Sequence, residues 1–138
     1  MERFELHPLL AADCRPVGDL ALSHVLLLND CRYPWAILVP RRAAVREIYQ
    51  LDDADRRCLL EESCLLGEFM MRAFRGDKLN IGALGNLVPQ LHLHHVIRNE
   101  ADPAWPGPVW GHSAAVPYAE GLLAERVALL RDGLGLEG

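Results

Sequence analysis

Gln90-Leu91-His92-Leu93-His94-His95-Val96-Ile97-Arg98 alternates polar and apolar residues, and three of the chain's six histidines fall inside it. An alternation with period two is the pattern of a strand, because successive side chains of an extended chain point to opposite faces. A strand over 90–98 puts Gln90, His92, His94 and Val96 on one face. Leu91, Leu93, His95 and Ile97 take the other, which gives that face an apolar core to pack on. His92 and His94 then stand side by side, about 6–7 Å apart along the strand. Asn99-Glu100-Ala101-Asp102-Pro103 ends the element with turn chemistry.

Upstream, Lys78 to Ala83 reads as a further strand, followed by a turn at Gly85-Asn86. The run Leu20 to Leu28 ends in Asn29-Asp30-Cys31-Arg32-Tyr33-Pro34, and Trp35 to Val39 is a second apolar run closed by Pro40. Two apolar runs around a turn predict a β-hairpin. Asp52 is a good N-cap, and Asp53 and Asp55 suit the positive end of a helix. From there to Arg75, Cys58, Leu59, Leu65, Leu66, Phe69, Met70 and Ala73 recur at helical spacing, with Gly76 placed to end the helix at C′. Residues 99–117 hold several prolines and two tryptophans, Trp105 and Trp110, and read as irregular. Tyr118 to Leu130 has Leu122, Leu123, Val127 and Leu130 at helical spacing, predicting a terminal helix. Hairpin strands with one long helix give an α+β domain with a mainly antiparallel sheet.

With 138 residues, 51% apolar and 24% charged, the chain has the size and balance of a single folded domain. The whole of residues 1–138 is expected to be that domain, with a core from about 20 to 110 and a C-terminal extension over 111–138. The net charge is −5, and the 14 basic residues, all arginine except Lys78, form no basic stripe, so no duplex nucleic acid is expected as a partner. No stretch approaches the roughly 20 apolar residues of a membrane span. Cys14, Cys31, Cys58 and Cys64 include no CxxC pair, and no secretory pattern precedes them, so a cytoplasmic protein with reduced thiols is expected.

A His-x-His pair on a strand allows three kinds of role. Imidazole is a common zinc ligand, but a metal site needs further ligands, for which only isolated candidates such as His24, His112 or a carboxylate exist. Phosphoryl chemistry is the second: one neutral imidazole attacks phosphorus while a protonated neighbour stabilises charge or assists the leaving group. The third is structural, with the histidines as hydrogen-bonded strand residues. Spacing alone leaves all three open.

The segment Asn80-Ile81-Gly82-Ala83-Leu84-Gly85-Asn86-Leu87-Val88-Pro89-Gln90-Leu91-His92-Leu93-His94 resembles the signature strand–loop–strand of the histidine triad (HIT) family. Leu27-Leu28-Asn29-Asp30 followed by Pro34 to Pro40 resembles that family's nucleoside-pocket hairpin, and Asp102 to Gly111 is similar to the tail of a bacterial subgroup. The resemblance runs from about Leu20 to Trp110. It implies a HIT-like fold, a two-fold homodimer and hydrolysis or nucleotidyl transfer at the α-phosphate of a nucleotide or nucleotide conjugate, with no cofactor and no metal.

The family pattern is His-φ-His-φ-His-φ-φ, with φ apolar. Alignment through Gly85 and Val88 puts Gln90 at the first histidine, His92 at the central one and His94 at the third. The resemblance thereby makes His92 the nucleophile that forms a nucleotidyl-histidine intermediate, and His94 the phosphate and leaving-group partner. A rival register, His92 first and His94 central, loses the match through the glycine turn. Gln90 can hydrogen-bond but has no titratable proton. Leu87 stands where the family usually has a phosphate-contacting Ser or Thr, and His95 replaces an apolar residue. Asn29 or Asp30 is a candidate ribose contact or a turn former, and Asn80 and Asn86 are candidate phosphate contacts. Trp105 and Trp110 either cover the pocket or pack, and Arg98 pairs with a phosphate or with Asp102. The departures at Gln90 and Leu87 motivate an alternative, a nucleotide-binding or regulatory protein with weak or no catalysis. The histidine pair keeps a metal-dependent hydrolase as a further one.

Overall fold

The computed structural model describes residues 3–137. A short helix, α1 (Pro8–Asp13), leads into strands β1 (Cys14–Asp19), β2 (Ser23–Leu28) and β3 (Trp35–Pro40). A 3-10 turn (Ile48–Gln50) and the long helix α2 (Asp53–Ala73) follow. Strands β4 (Lys78–Gly82) and β5 (Leu93–Arg98) and the helix α3 (Glu120–Gly133) complete the chain. The five strands form one antiparallel sheet in the order β1-β2-β3-β5-β4. The fold is α+β with an antiparallel sheet, as the sequence implied.

The two sheet faces bury different sets. Toward the helices lie Val25, Leu27, Leu38, Leu93 and Ile97, packed with Leu59, Leu66 and Met70 of α2 and Leu123, Val127 and Leu130 of α3. The opposite face buries Leu26, Tyr33, Trp35, Ile37, Val96 and Val109. Every position of β3 and β5 is buried, as expected for central strands covered on both sides. Helix α2 begins where expected: the Asp52 side chain accepts the Asp55 N–H at 2.8 Å. Its end differs from expectation. Arg75, not Gly76, takes the left-handed conformation (φ 49°), and the Gly76 N–H closes back onto the Met71 carbonyl at 3.1 Å. Glycine is required at 76 for space, since a Cβ there would lie 2.5 Å from Ile97 Cγ2.

Three further expectations change. The sheet starts at Cys14, ahead of the expected core start at Leu20. Pro16 and Gly18 hide β1 from a propensity reading, and both are tolerated because β1 is an edge strand with a register shift between them. The histidine strand starts at Leu93 rather than Gln90. Pro89 has no N–H to give a ladder, and the Leu91 N–H goes to the Val45 carbonyl at 2.9 Å instead of to a strand. The terminal helix runs Glu120–Gly133, displaced by a few residues from 118–130, and its buried side belongs to the main core. Among the described residues no helix is long and apolar enough to cross a membrane.

Candidate active site

The alternation read from the sequence holds ahead of β5 as well as within it. Leu91, Leu93 and Ile97 are in the helix-side core, while His92 and His94 share the opposite side. Their ring centroids are 4.9 Å apart. His95 points away, fully buried between sheet and α2, with Nε2 2.7 Å from Ser63 Oγ and Nδ1 3.1 Å from the Leu93 carbonyl. A carbonyl only accepts, so Nδ1 carries the hydrogen and the serine hydroxyl donates to Nε2. Burial pushes the His95 pKa down to about 4, against the opposing effect of the Leu93 hydrogen bond.

Hydrogen-bond partners assign the two site imidazoles opposite tautomers. His92 Nδ1 is 2.7 Å from the Gln90 carbonyl oxygen, so Nδ1 bears a proton, and in the neutral ring the lone pair is on Nε2. His94 Nδ1 accepts the Trp35 indole N–H at 2.9 Å. Indole nitrogen is a donor only, so the hydrogen of His94 sits on Nε2 and the ring is neutral. Burial, then the neighbouring imidazoles of His92 and His95, pushes the His94 pKa down to about 3. A protonated partner imidazole, one form of the chemistry expected from the sequence, is therefore not what His94 provides. It is a neutral N–H donor boxed by aromatic edges, with Trp35 and Trp110 each 5.7 Å away between ring centroids.

Beside the pair lies a cleft of about 690 Å³. Leu28, Trp35, Val109 and Trp110 supply its apolar lining, with Leu84 and Leu87 among the other residues along it. Leu87 is 82% exposed and carries no hydroxyl, so this position offers a ligand apolar surface only. A second, small pocket of about 150 Å³ is lined by Arg46, Glu47, Gly85, Gln90 and His92, and Leu84 borders both spaces.

Several candidates from the sequence are committed elsewhere. The Gln90 side chain turns to the N-terminal segment: Oε1 accepts the His7 N–H at 2.9 Å and Nε2 donates to the Glu5 carbonyl at 2.8 Å. Asp30 lines the cleft but is 1% exposed and is gripped by Arg32 Nε and Nη2, each at 3.0 Å. Arg32 also donates to Ser113 Oγ and the Ala114 carbonyl, tying the tail across the cleft. Asn29, on the same cleft, accepts the Tyr118 N–H through Oδ1 at 2.9 Å. Arg98 is 2% exposed and pairs bidentately with Asp102 (2.8 and 2.9 Å), while its Nη1 donates to Asn80 Oδ1 at 2.9 Å. Of the two partners foreseen for Arg98, the structure joins it to Asp102, and Asn80 serves that pair. Burial tends to raise the Asp102 pKa, but Arg98 and the Asn99 and Trp105 N–H groups more than offset it and hold it below the ordinary value. Asn86 is exposed on the Gly85 turn. Trp105 stacks on the Arg98 guanidinium at 5.8 Å, and Trp110 lines the cleft. The residues that sequence reasoning missed are Trp35, Arg32 and Arg46. Trp35 alone carried a signal, an aromatic residue at the start of a predicted inner strand.

Fold and site together define a protein of the histidine triad class. The HIT domain family profile matches residues 11–101. A histidine triad protein from Marinobacter aquaeolei VT8 is 52% identical over 97% of this chain and 98% of its own, with a TM-score of 0.95. Histidine triad proteins from Bradyrhizobium japonicum (40% identity, 96% and 99% covered, TM-score 0.93) and Sinorhizobium meliloti 1021 (42%, 94% and 96%, 0.91) are similarly close. A comparison with curated proteins returned no match. The chain belongs to the histidine triad family, whose members are nucleotide-binding hydrolases or transferases.

Proposed function

We propose that this chain is a nucleotide-phosphate hydrolase or nucleotidyl transferase in which His92 attacks the α-phosphorus. The observation that carries this is the 2.7 Å hydrogen bond from His92 Nδ1 to the Gln90 carbonyl, which assigns the lone pair of the neutral ring to Nε2, the nucleophilic atom. As Nε2 bonds to phosphorus, the ring gains positive charge, and the Gln90 carbonyl stabilises the Nδ1–H that shares it. The bond to the leaving group breaks and its electron pair departs with that group. Water or an acceptor alcohol then attacks the nucleotidyl-His92, loses its proton to solvent and frees the imidazole. His94 Nε2–H serves a non-bridging phosphoryl oxygen. Gln90 contributes through its main chain, and the apolar cleft with Asn29 at its wall receives the nucleoside. A homodimer and a cytoplasmic location belong to the same reading. The first is supported by β4, which pairs with β5 on one side only; the second by the exposed thiols of Cys31 and Cys64.

The test is His92→Ala against a panel of nucleoside phosphoramidates, dinucleotides and nucleotide anhydrides, with intact-protein mass spectrometry for the nucleotidylated wild type. Loss of a nucleophile should lower kcat by about a thousandfold or more. Unchanged turnover would remove His92 from the chemistry. A second reading, nucleotide binding with weak or no catalysis, is favoured by Leu87 and by the Gln90 side chain being spent on Glu5 and His7. Its signature is nucleotide affinity with no adduct and no turnover.

A further inference from the structure

We propose that residues 111–117 form a strap along the large cleft, latched by Asn29, Cys31 and Arg32, and that unlatching of this strap gates entry and release of the cleft's ligand. This rests on the large cleft receiving the nucleoside.

The strap is fixed at its ends and loose between them. Ahead of it, Val109 is buried in the core and the Trp110 ring packs on His94. Beyond it, Leu123 and Val127 of α3 sit in the helix-side core. Every residue from Gly111 to Pro117 is exposed, so burial of apolar surface does little to hold the segment. Gly111 takes the left-handed conformation (φ 80°), and a Cβ there would meet nothing within 4 Å. Backbone conformation, not space, calls for glycine at this end of the strap. Alternate residues, Gly111, Ser113, Ala115 and Pro117, line the cleft, as in an extended chain.

The latch is a single turn. Among the described residues, the hydrogen bonds that tie the strap to distant parts of the chain all run to residues 29–32. Arg32 Nη1 donates to Ser113 Oγ at 2.5 Å, and Nη2 donates to the Ala114 carbonyl at 2.8 Å. The Cys31 N–H donates to the Val116 carbonyl at 2.8 Å, and the Tyr118 N–H, just past the strap, donates to Asn29 Oδ1 at 2.9 Å. The buried Asp30 carboxylate holds the guanidinium through Nε and Nη2, and the Tyr33 ring lies 5.3 Å from it, so the latch is preorganised. Arg32 and Ser113 both line the cleft, so their bond joins two of its walls, and breaking it lets those walls part. Asn29 and Asp30, ribose candidates by sequence, are by this geometry parts of the latch. A segment held by a few hydrogen bonds and no buried side chain opens at far lower cost than the core to which it is tied.

Hydrogen exchange at the Cys31 and Tyr118 amides reports the latch, and the fluorescence of Trp35 and Trp110, which line the cleft, reports AMP and GMP binding in stopped flow. Two variants loosen the latch. Ser113→Ala removes the Arg32 bond to its hydroxyl and leaves Asp30 paired; Arg32→Lys keeps a cation beside Asp30 without the fork that reaches Ser113 and Ala114. Each should speed exchange at both amides about fivefold, with amides of α2 and β3 unchanged. Association and dissociation rates of the nucleotide should rise together, so that Kd moves less than either rate, which loss of a ligand contact alone would not produce. Exchange at Cys31 and Tyr118 that neither variant moves, or that speeds only together with α2 and β3, overturns the strap. Nucleotide rates that stay put while exchange responds overturn the gate and leave the nucleoside cleft standing. If neither nucleotide binds, the gate and the nucleoside reading of the cleft fall together.

Discussion

The Trp35 indole N–H donates to His94 Nδ1 at 2.9 Å, from one central strand of the sheet to the next. One imidazole nitrogen of the site is thereby fixed as an acceptor, and the proton of His94 is fixed on Nε2. Nitrogen-15 NMR of the imidazoles should find His94 as the Nε2–H tautomer and without titration until about pH 3. In Trp35→Phe the donor is gone, so His94 should populate both tautomers and titrate at higher pH. A wild-type His94 that titrates near 6.5, the unperturbed value for histidine, would contradict this.

Acid should destabilise the fold earlier than its carboxylates alone require. His94 and His95 have folded pKa values pushed down to about 3 and about 4, below the unfolded value near 6.5. Between those limits the unfolded chain binds more protons than the native one, so stability falls as pH falls. Their contribution is complete above about pH 6.5 and is lost progressively down to the folded values. The slope is about 1.4 kcal/mol per pH unit for each imidazole. Urea midpoints should therefore drop steadily from pH 7 to 4.5, and a flat profile would mean that the two rings are not held neutral.

The Arg98–Asp102 pair should behave as a buried unit. Both side chains are almost completely inaccessible, and Asp102 also receives the Asn99, Ala104 and Trp105 N–H groups. Asp102→Ala leaves a buried guanidinium without its carboxylate, which costs about 3–5 kcal/mol. Thermal or urea unfolding measures this directly. A loss below about 1 kcal/mol would be the behaviour of a surface pair.

Gln90→Ala should loosen the N-terminus rather than reorganise His92. Its side chain makes two hydrogen bonds to the Glu5 and His7 backbone, whereas the His92 ring leans on its main-chain carbonyl. Loss of those bonds costs about 1–2 kcal/mol locally. Faster amide hydrogen exchange at His7 and α1 in the variant is the expected result, and unchanged protection there would show that Gln90 does not anchor this segment.

Much of this architecture is written locally in the chain. Period two in Leu91 to Ile97 sets which residues face the helices, because pleating fixes side-chain direction whatever the strand pairs with. The same rule makes His92 and His94 neighbours and sends His95 to Ser63. Asp52 and the apolar stripe through Leu59, Leu66 and Met70 specify α2 by capping and helical spacing. β1 is not legible this way, since Pro16 and Gly18 are acceptable only at an edge, and edge status belongs to the sheet. The chemistry of the site is also tertiary. The tautomer of His94 depends on Trp35, 59 positions away, and the Gln90 side chain is spent on Glu5, 85 positions away. Asp30 and Arg32 are sequence neighbours, yet Arg32 is also held by Ser113 and Ala114 from the tail. Arg46 and His92 line one small pocket, where the Leu91 N–H is bonded to the Val45 carbonyl. Local sequence determined that two imidazoles stand together; a contact between distant segments decided which nitrogen of His94 carries its proton, because hydrogen bonds are specified by partners in space.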